Sequence, residues 1–226
     1  MLLVMHYFAG LPFKRMESLQ AGWGIPMPDA NQIEFSNCTL TMPGSTATAP
    51  ARCELAIIGA GPAGLAAASV AAGQGIEVAL LDQQSAPGGQ IYRGIESVSA
   101  QRAEQLGADY RRGEELVRAF RSSNAQYFPD TQVWSLTPGR EIGLLQRGRA
   151  QMLTADQVLI AGGAMEGPVP FPGWTLPGVM NAGAGQILFK AHGIVPADGV
   201  VLAGSGPLLL LLAWQYLHAG VEVQAL

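Results

Sequence analysis

Gly59, Gly61 and Gly64 stand at the spacing Gly-x-Gly-x-x-Gly, with Ala60, Pro62 and Ala63 between them. The chemistry open to such a loop is the cradling of a pyrophosphate. Gly59 allows a tight turn, Gly61 has no Cβ where the phosphates must approach, and Gly64 lets a helix pack closely on a strand. The free N–H groups and positive dipole end of the following helix then face the phosphates. Asp82 follows Gly59 at close to the roughly 20 residues expected of an acid that accepts bonds from a ribose hydroxyl. An acid there repels a 2′-phosphate, which disfavours NADP. No Ser/His/Asp, Cys/His or paired-carboxylate arrangement stands out, and no catalytic side chain is assigned. His6, His192 and His218 are scattered, and the last two read as residues of helix ends.

The elements that must position this loop are legible around it. Leu55-Ala56-Ile57-Ile58 is a short apolar run, as in a strand buried on both faces of a parallel sheet. The alanine-rich run 65–72 predicts a helix, ended by Gly73 and Gly75. Residues 76–81 predict a second strand that Asp82 closes. A charged amphipathic helical stretch covers 99–122. Residues 126–161 alternate short apolar runs with turn signals at Pro138-Gly139 and Arg147-Gly148, which predicts a meander ending in Gln157–Ile160. A Gly- and Pro-rich loop follows at 162–178, then a helix over 182–191 stopped by His192-Gly193. Val200–Ala203 is another buried-type strand, the leucines of 208–212 open a helix and read as core, and 221–226 start one more strand. The expected class is α/β: a Rossmann-like unit with a central parallel sheet and a β-meander, plus an incomplete second Rossmann-like unit.

Composition narrows the classes. The 226 residues are 49% hydrophobic and 13% charged, with a net charge of −4, which suits a buried core and gives no basic footprint for nucleic acid. The two cysteines, Cys38 and Cys53, form no Cys-x-x-Cys pair, so a dithiol redox centre within the chain and a Cys-rich metal site are excluded. They read as free thiols of a cytoplasmic protein. The opening apolar run Met1–Phe13 is short and has its basic residues after it, the wrong order for a secretory signal. Val200–Trp214 is interrupted well short of a membrane span. Residues 1–50 lack a sustained period and read as a largely disordered extension, with Pro43–Pro50 as a flexible lead-in and Met42 as a plausible natural start. The expected organisation is therefore this extension, a cofactor-binding domain over 51–197, and the start of an incomplete NAD(P)-binding-type domain over 198–226.

After Asp82 the chain reads Gln83-Gln84-Ser85-Ala86-Pro87-Gly88-Gly89-Gln90-Ile91-Tyr92-Arg93. Gly-Pro-Ala-Gly paired with a downstream Gly-Gly-Gln resembles the two-dinucleotide-binding-domain flavoproteins, the pyridine nucleotide-disulfide oxidoreductase superfamily. Asp82 stands where that group commonly has Glu. The stretch 154–163 is similar to the group's second FAD signature, with Ala161-Gly162-Gly163 in place of Ala-Thr-Gly. More narrowly, Gly89–Arg93 and the Pro-Gly-Trp segment 169–179 resemble the large FAD subunit of opine oxidases and the related cyanide synthase subunit, over about residues 53–226. The resemblance implies FAD as cofactor, with Gly59, Ala60, Gly61, Pro62, Ala63, Gly64, Asp82, Gln83, Gly88, Gly89, Gln90, Val133, Ala161, Gly162 and Gly163 as the candidate binding set. It implies a small amine or amino-acid substrate, an electron acceptor other than NAD, and a partner flavoprotein subunit.

A second loop, Gly204-Ser205-Gly206-Pro207-Leu208-Leu209, repeats the first but carries Leu209 at the third glycine position. Leucine there is expected to push the helix off the strand or change its packing. The sequence stops at Leu226, before the return stretch of this group; a fragment, a subunit split between two chains, and a decayed copy are all consistent with that. Three functions follow. The first is a flavin-dependent oxidoreductase subunit relaying hydride equivalents. The second is an NAD(P)H-dependent FAD reductase of the same fold. The third is a truncated, non-catalytic FAD-binding or interaction module.

Overall fold

The computed structural model describes residues Leu2–His6 and 48–226. Strand β1 is Leu2–His6, and β2 is Arg52–Ile58. Helix α1 (Pro62–Gly73) and β3 (Val78–Leu81) complete a βαβ unit in which all four residues of β3 are buried. Helices α2 (Ala100–Leu106) and α3 (Ala108–Arg121) follow. Next come β4 (Gln126–Phe128), β5 (Thr131–Leu136), β6 (Glu141–Gln146) and β7 (Arg149–Ile160). The described chain ends with β8 (Val179–Asn181), α4 (Ala182–His192), β9 (Val200–Gly204), α5 (Pro207–His218) and β10 (Val223–Ala225).

A six-stranded sheet runs β4-β3-β2-β7-β6-β5. Its β4, β3, β2 and β7 are parallel, and β7, β6 and β5 form the antiparallel meander that the turn signals predict. One long strand serves both parts. Residues 149–154 of β7 pair with β6, while residues 154–160 pair with β2. Ile57, Leu65, Ala68 and Leu80 are fully buried at the strand–helix junction, each large aliphatic side chain contributing about 1.5–3 kcal/mol, and Ala56 is buried on the opposite face with Ile142 and Leu144. A second, four-stranded parallel sheet runs β10-β9-β1-β8.

Three expectations are corrected. The helical stretch 99–122 is two helices, because Gly107 at φ +95 breaks the backbone path between them. The first 50 residues are not wholly a loose extension: Leu2–His6 is a strand paired in parallel with both β8 and β9, which satisfies backbone groups of three strands together. Ala49 is also buried, its N–H donating to Gln146 Oε1 at 3.3 Å. The residues between, including Cys38, Met42 and most of the expected lead-in, lie outside the described residues. Finally, the leucine run of α5 is not all core. Leu209 and Leu212 are buried, whereas Leu208, Leu210 and Leu211 are exposed, as the 3.6-residue period requires of a helix covered on one side.

Candidate functional site: a glycine-lined dinucleotide cradle

The first glycine loop is held on three sides by backbone. Gly59 N–H donates to Leu81 O at 2.8 Å, and Ala161 N–H donates to Ile58 O at 2.8 Å, so the ends of β2, β3 and β7 meet at the loop. Gly59 sits at φ +104, and a Cβ on it would lie 2.4 Å from Ala161 O; no other residue fits there. A Cβ on Gly64 would lie 1.9 Å from Gly59 O, so α1 rests directly on the turn. These are the close-packing duties the spacing predicts for the first and third glycines.

Gly61 is different. It is the N-cap of α1 with ordinary extended dihedrals, φ −75 and ψ −176, and no side chain caps the helix. A Cβ there would meet only Gly89 Cα, at 3.9 Å. From the other side, a Cβ on Gly89 would lie 2.7 Å from Gly61 Cα. The two loops therefore approach backbone to backbone. Gly88 N–H donates to Ala60 O at 2.8 Å and locks them together. An uncapped helix N-terminus walled by glycine is the form an anion site takes.

Asp82 is 8% exposed. Its Oδ2 accepts from Ala60 N–H and its Oδ1 from Gln84 N–H at 2.7 Å. The carboxylate thus ties the glycine loop to the end of β3, with each oxygen keeping lone-pair capacity for a further donor. Gln83 and Gln84 line an open cleft of about 510 Å³ with Asp130, Gln132 and Arg147.

The structure thus gathers Gly59–Gly64, Asp82, Gly88, Gly89 and Ala161 around one cradle, and Gln90 follows Gly89 with its carbonyl turned to Lys190. It does not bring every candidate there. Val133 stands on β5 beside the cleft, half-buried against the core of the meander. Gly162 and Gly163 have open space around them. His192 and His218 end α4 and α5, and the His218 ring nitrogen lies 2.9 Å from Trp214 O.

Sequence reading missed a set of polar residues of which Lys190 and Tyr110 reach segment 88–93. Lys190, on α4, is 4% exposed; its Nζ donates to Gln90 O at 3.2 Å and to Gln186 Oε1 at 2.9 Å. Burial, with the Arg93 guanidinium adding to it, pushes the ammonium down from 10.5 to about 8. Gln186 Nε2 donates to Gln215 Oε1, and Gln215 Nε2 to Leu106 O. Tyr110 donates to Arg93 O at 2.8 Å. The available signal was Lys190 itself, a lone cation before the histidine in an otherwise uncharged helix. Cys53 is a buried thiol pushed up to about 11, chiefly by burial. Among the described residues no group of three or more His, Cys, Asp and Glu could hold a metal, and no helix is long and apolar enough to cross a membrane.

The family described as pyridine nucleotide-disulphide oxidoreductase matches residues 53–226. The chain belongs to that family. Membership implies FAD as the cofactor, and the uncapped α1 terminus, the glycine walls and the held Asp82 carboxylate fit a dinucleotide. The chain is 51% identical to an opine oxidase subunit from Agrobacterium tumefaciens (strain Ach5) over 176 residues, 74% of this chain and 35% of that protein. It is 40% identical to hydrogen cyanide synthase subunit HcnB of Pseudomonas aeruginosa over 171 residues, 74% of this chain and 36% of that one. It is also similar to the alpha subunit of sarcosine oxidase from Rhizobium meliloti (strain 1021), at 31% identity over 78% of this chain and 19% of that one. The chain spans about a third of the length of the opine oxidase and cyanide synthase relatives. An L-proline dehydrogenase structure from P. horikoshii shares the fold, with a TM-score of 0.63 and 21% identity over 77% of this chain and 35% of that one. These are flavin-dependent oxidoreductase families, and several of the relatives are named as enzyme subunits.

Proposed function

We propose that this chain supplies the FAD-holding portion of an oxidoreductase subunit that takes electrons from an amine or amino-acid substrate, or from a partner flavoprotein subunit. The observation that carries this reading is the backbone-to-backbone approach of Gly61 and Gly89 at the uncapped N-terminus of α1. In this reading the N–H groups of Ala63 and Gly64 face the pyrophosphate, and Asp82 accepts from the adenosine ribose. Gln83, Gln84 and Gln132 border the adenosine end, with Val133 beside it. Gly88, Gly89 and Gln90 run along the pyrophosphate and ribityl chain, and Ala161–Gly163 close the loop. When bound, FAD supplies reversible two-electron storage; the protein's part is to orient it and exclude competing chemistry.

The names of the relatives support the substrate class: opine oxidase and sarcosine oxidase act on opines and sarcosine, and both are named as subunits. The same likeness supports reading this chain as part of a hetero-oligomer with a second flavoprotein, and its two cysteines, read as free thiols, support a cytoplasmic setting. The test is reconstitution of the full 226-residue chain with FAD, followed by gel filtration and a visible spectrum. A retained flavin with bands near about 370 and about 450 nm supports the reading. A colourless protein that also fails to bind ADP refutes it.

A further inference from the structure

Two cations stand beside the cradle without an anion. Arg93 lies at the end of segment 88–93; its Nη1 donates to Gln84 Oε1, while its buried Nε has no acceptor among the described residues. Lys190 is 4% exposed and is held by two neutral oxygens, Gln90 O and Gln186 Oε1, leaving one N–H. Neither forms a salt bridge with a carboxylate of the described residues. The Lys190 ammonium feels the Arg93 charge in addition to its burial. A buried ammonium next to a guanidinium is an unfavourable arrangement in the absence of a counter-charge. A buried cation without a carboxylate partner, as at Lys190, is a candidate ligand contact.

Position identifies the ligand. Both cations are fastened to segment 88–93, Lys190 through Gln90 O and Arg93 as a member of it. That segment touches Gly61, where the dinucleotide reading sets the pyrophosphate. Arg93 is also tied through Gln84 to Asp82, the ribose end of the cradle. The glycine loop offers N–H dipoles but no full positive charge, and α1 has no basic residue in its first turn. A pyrophosphate diester carries two negative charges, and two cations are present.

We propose that Arg93 and Lys190 form a paired cationic subsite that neutralises the pyrophosphate of the bound dinucleotide. The proposal rests on the dinucleotide reading above and adds charge recognition to it. Gln186 and Gln215 act as positioning residues. They hold the Lys190 ammonium towards Gln90 and connect it to the backbone at Leu106.

The test is calorimetric titration of the full chain and of Arg93→Gln, Arg93→Lys and Lys190→Met with FAD, ADP and adenosine, at one fixed ionic strength. ADP carries the diphosphate without flavin or carboxylate, and adenosine carries neither charge. Arg93→Gln and Lys190→Met are expected to weaken ADP and FAD by about tenfold to a hundredfold, the range of a lost charged hydrogen bond. Adenosine binding should be unchanged, and Arg93→Lys should recover part of the ADP affinity. Variants that bind ADP as tightly as the wild type overturn the proposal, including in favour of a substrate carboxylate as the anion. Equal loss of ADP and adenosine overturns it in favour of a structural role. A wild type that binds neither FAD nor ADP refutes the dinucleotide reading itself, and the subsite falls with it.

Discussion

Gly61→Ala and Gly64→Ala add the same methyl group three residues apart on the same loop, and the structure assigns them opposite consequences. At Gly61 the new Cβ has 3.9 Å to Gly89 Cα, an ordinary contact, and the backbone is already extended at φ −75. Alanine loses a little as an N-cap and gains about 0.4–1 kcal/mol by restricting the unfolded chain. Stability should therefore move by no more than about 1 kcal/mol. The methyl group stands, however, where a pyrophosphate must lie against the backbone. At Gly64 the Cβ would be 1.9 Å from Gly59 O, against 3.4 Å for an ordinary contact. Because the obstacle is backbone, α1 must lift off the turn, at the cost of overpacking, about 1–3 kcal/mol, or about 3–10 °C in Tm for a domain of this size. The assay pairs thermal unfolding of each apo chain with flavin content after FAD loading and gel filtration. Gly61→Ala should unfold like the wild type and lose flavin, and Gly61→Val should lose it completely. Gly64→Ala should unfold early. A Gly61→Val protein that keeps its flavin would show that the loop is not the pyrophosphate site. A Gly64→Ala protein as stable as the wild type would show that α1 does not rest on the turn.

Lys190 gives a pH signature. Its folded value of about 8 lies below the usual 10.5, so between these the unfolded chain holds more protons and stability rises with pH; the apo wild type should gain about 1 kcal/mol over Lys190→Met from about pH 7.5 to about pH 9. Equal profiles in chemical denaturation would remove the buried cation. Above about pH 9 the raised thiol of Cys53 and phenols of Tyr110 and Tyr216 act in the opposite sense in both proteins, since folding holds their protons longer. Deleting residues 1–47 removes β1 from between β8 and β9. Amides of Val200–Gly204 should then exchange faster while those of Leu55–Leu81 keep their protection, and unchanged exchange at β9 would argue against the pairing. NADH mixed with the flavin-loaded chain in stopped flow should bleach the flavin slowly or not at all; fast bleaching would favour the reductase reading.

What was legible in the sequence was local. The loop, the strands on either side of it and Asp82 lie within one βαβ unit, where glycine spacing and apolar runs constrain each other over about thirty residues. The meander was legible because each turn carries its own signal, Pro138-Gly139 and Arg147-Gly148. What failed was long-range or backbone-specific. The break at Gly107 is invisible to an amphipathic pattern that continues across it. Strand β1 is five residues long, and nothing around Leu2–His6 announces that its partners are residues 179–181 and 200–204. Lys190 and Arg93 are brought together only by the packing of α4 against segment 88–93. No spacing rule connects residues so far apart, and only a lone cation in an uncharged helix hinted at it.

The two glycine loops show how one residue divides binding from packing. In the first, Gly64 lets α1 sit so close that even a methyl group would strike Gly59 O. In the second, Leu209 occupies the corresponding place and is 5% exposed, within the core that includes Val200, Leu202 and Leu212. A leucine side chain cannot fit in the space that Gly64 leaves, so α5 meets β9 across an apolar layer instead of through its backbone. Its burial contributes about 1.5–3 kcal/mol, which binds helix to strand by packing where the first loop uses contact at the turn. Gly204 keeps a positive φ of +148, as Gly59 does at +104, but Gly206 is at +101 where Gly61 is extended at −75, so the helix start of the second loop has changed backbone as well as use. The cations follow the same division. Arg93 and Lys190 are both fastened to the segment that touches the first loop. The first turn of α5 carries no acidic residue and begins with Pro-Leu-Leu-Leu. Charge recognition and close backbone approach thus coincide at the first loop, and the second loop is built around a core side chain.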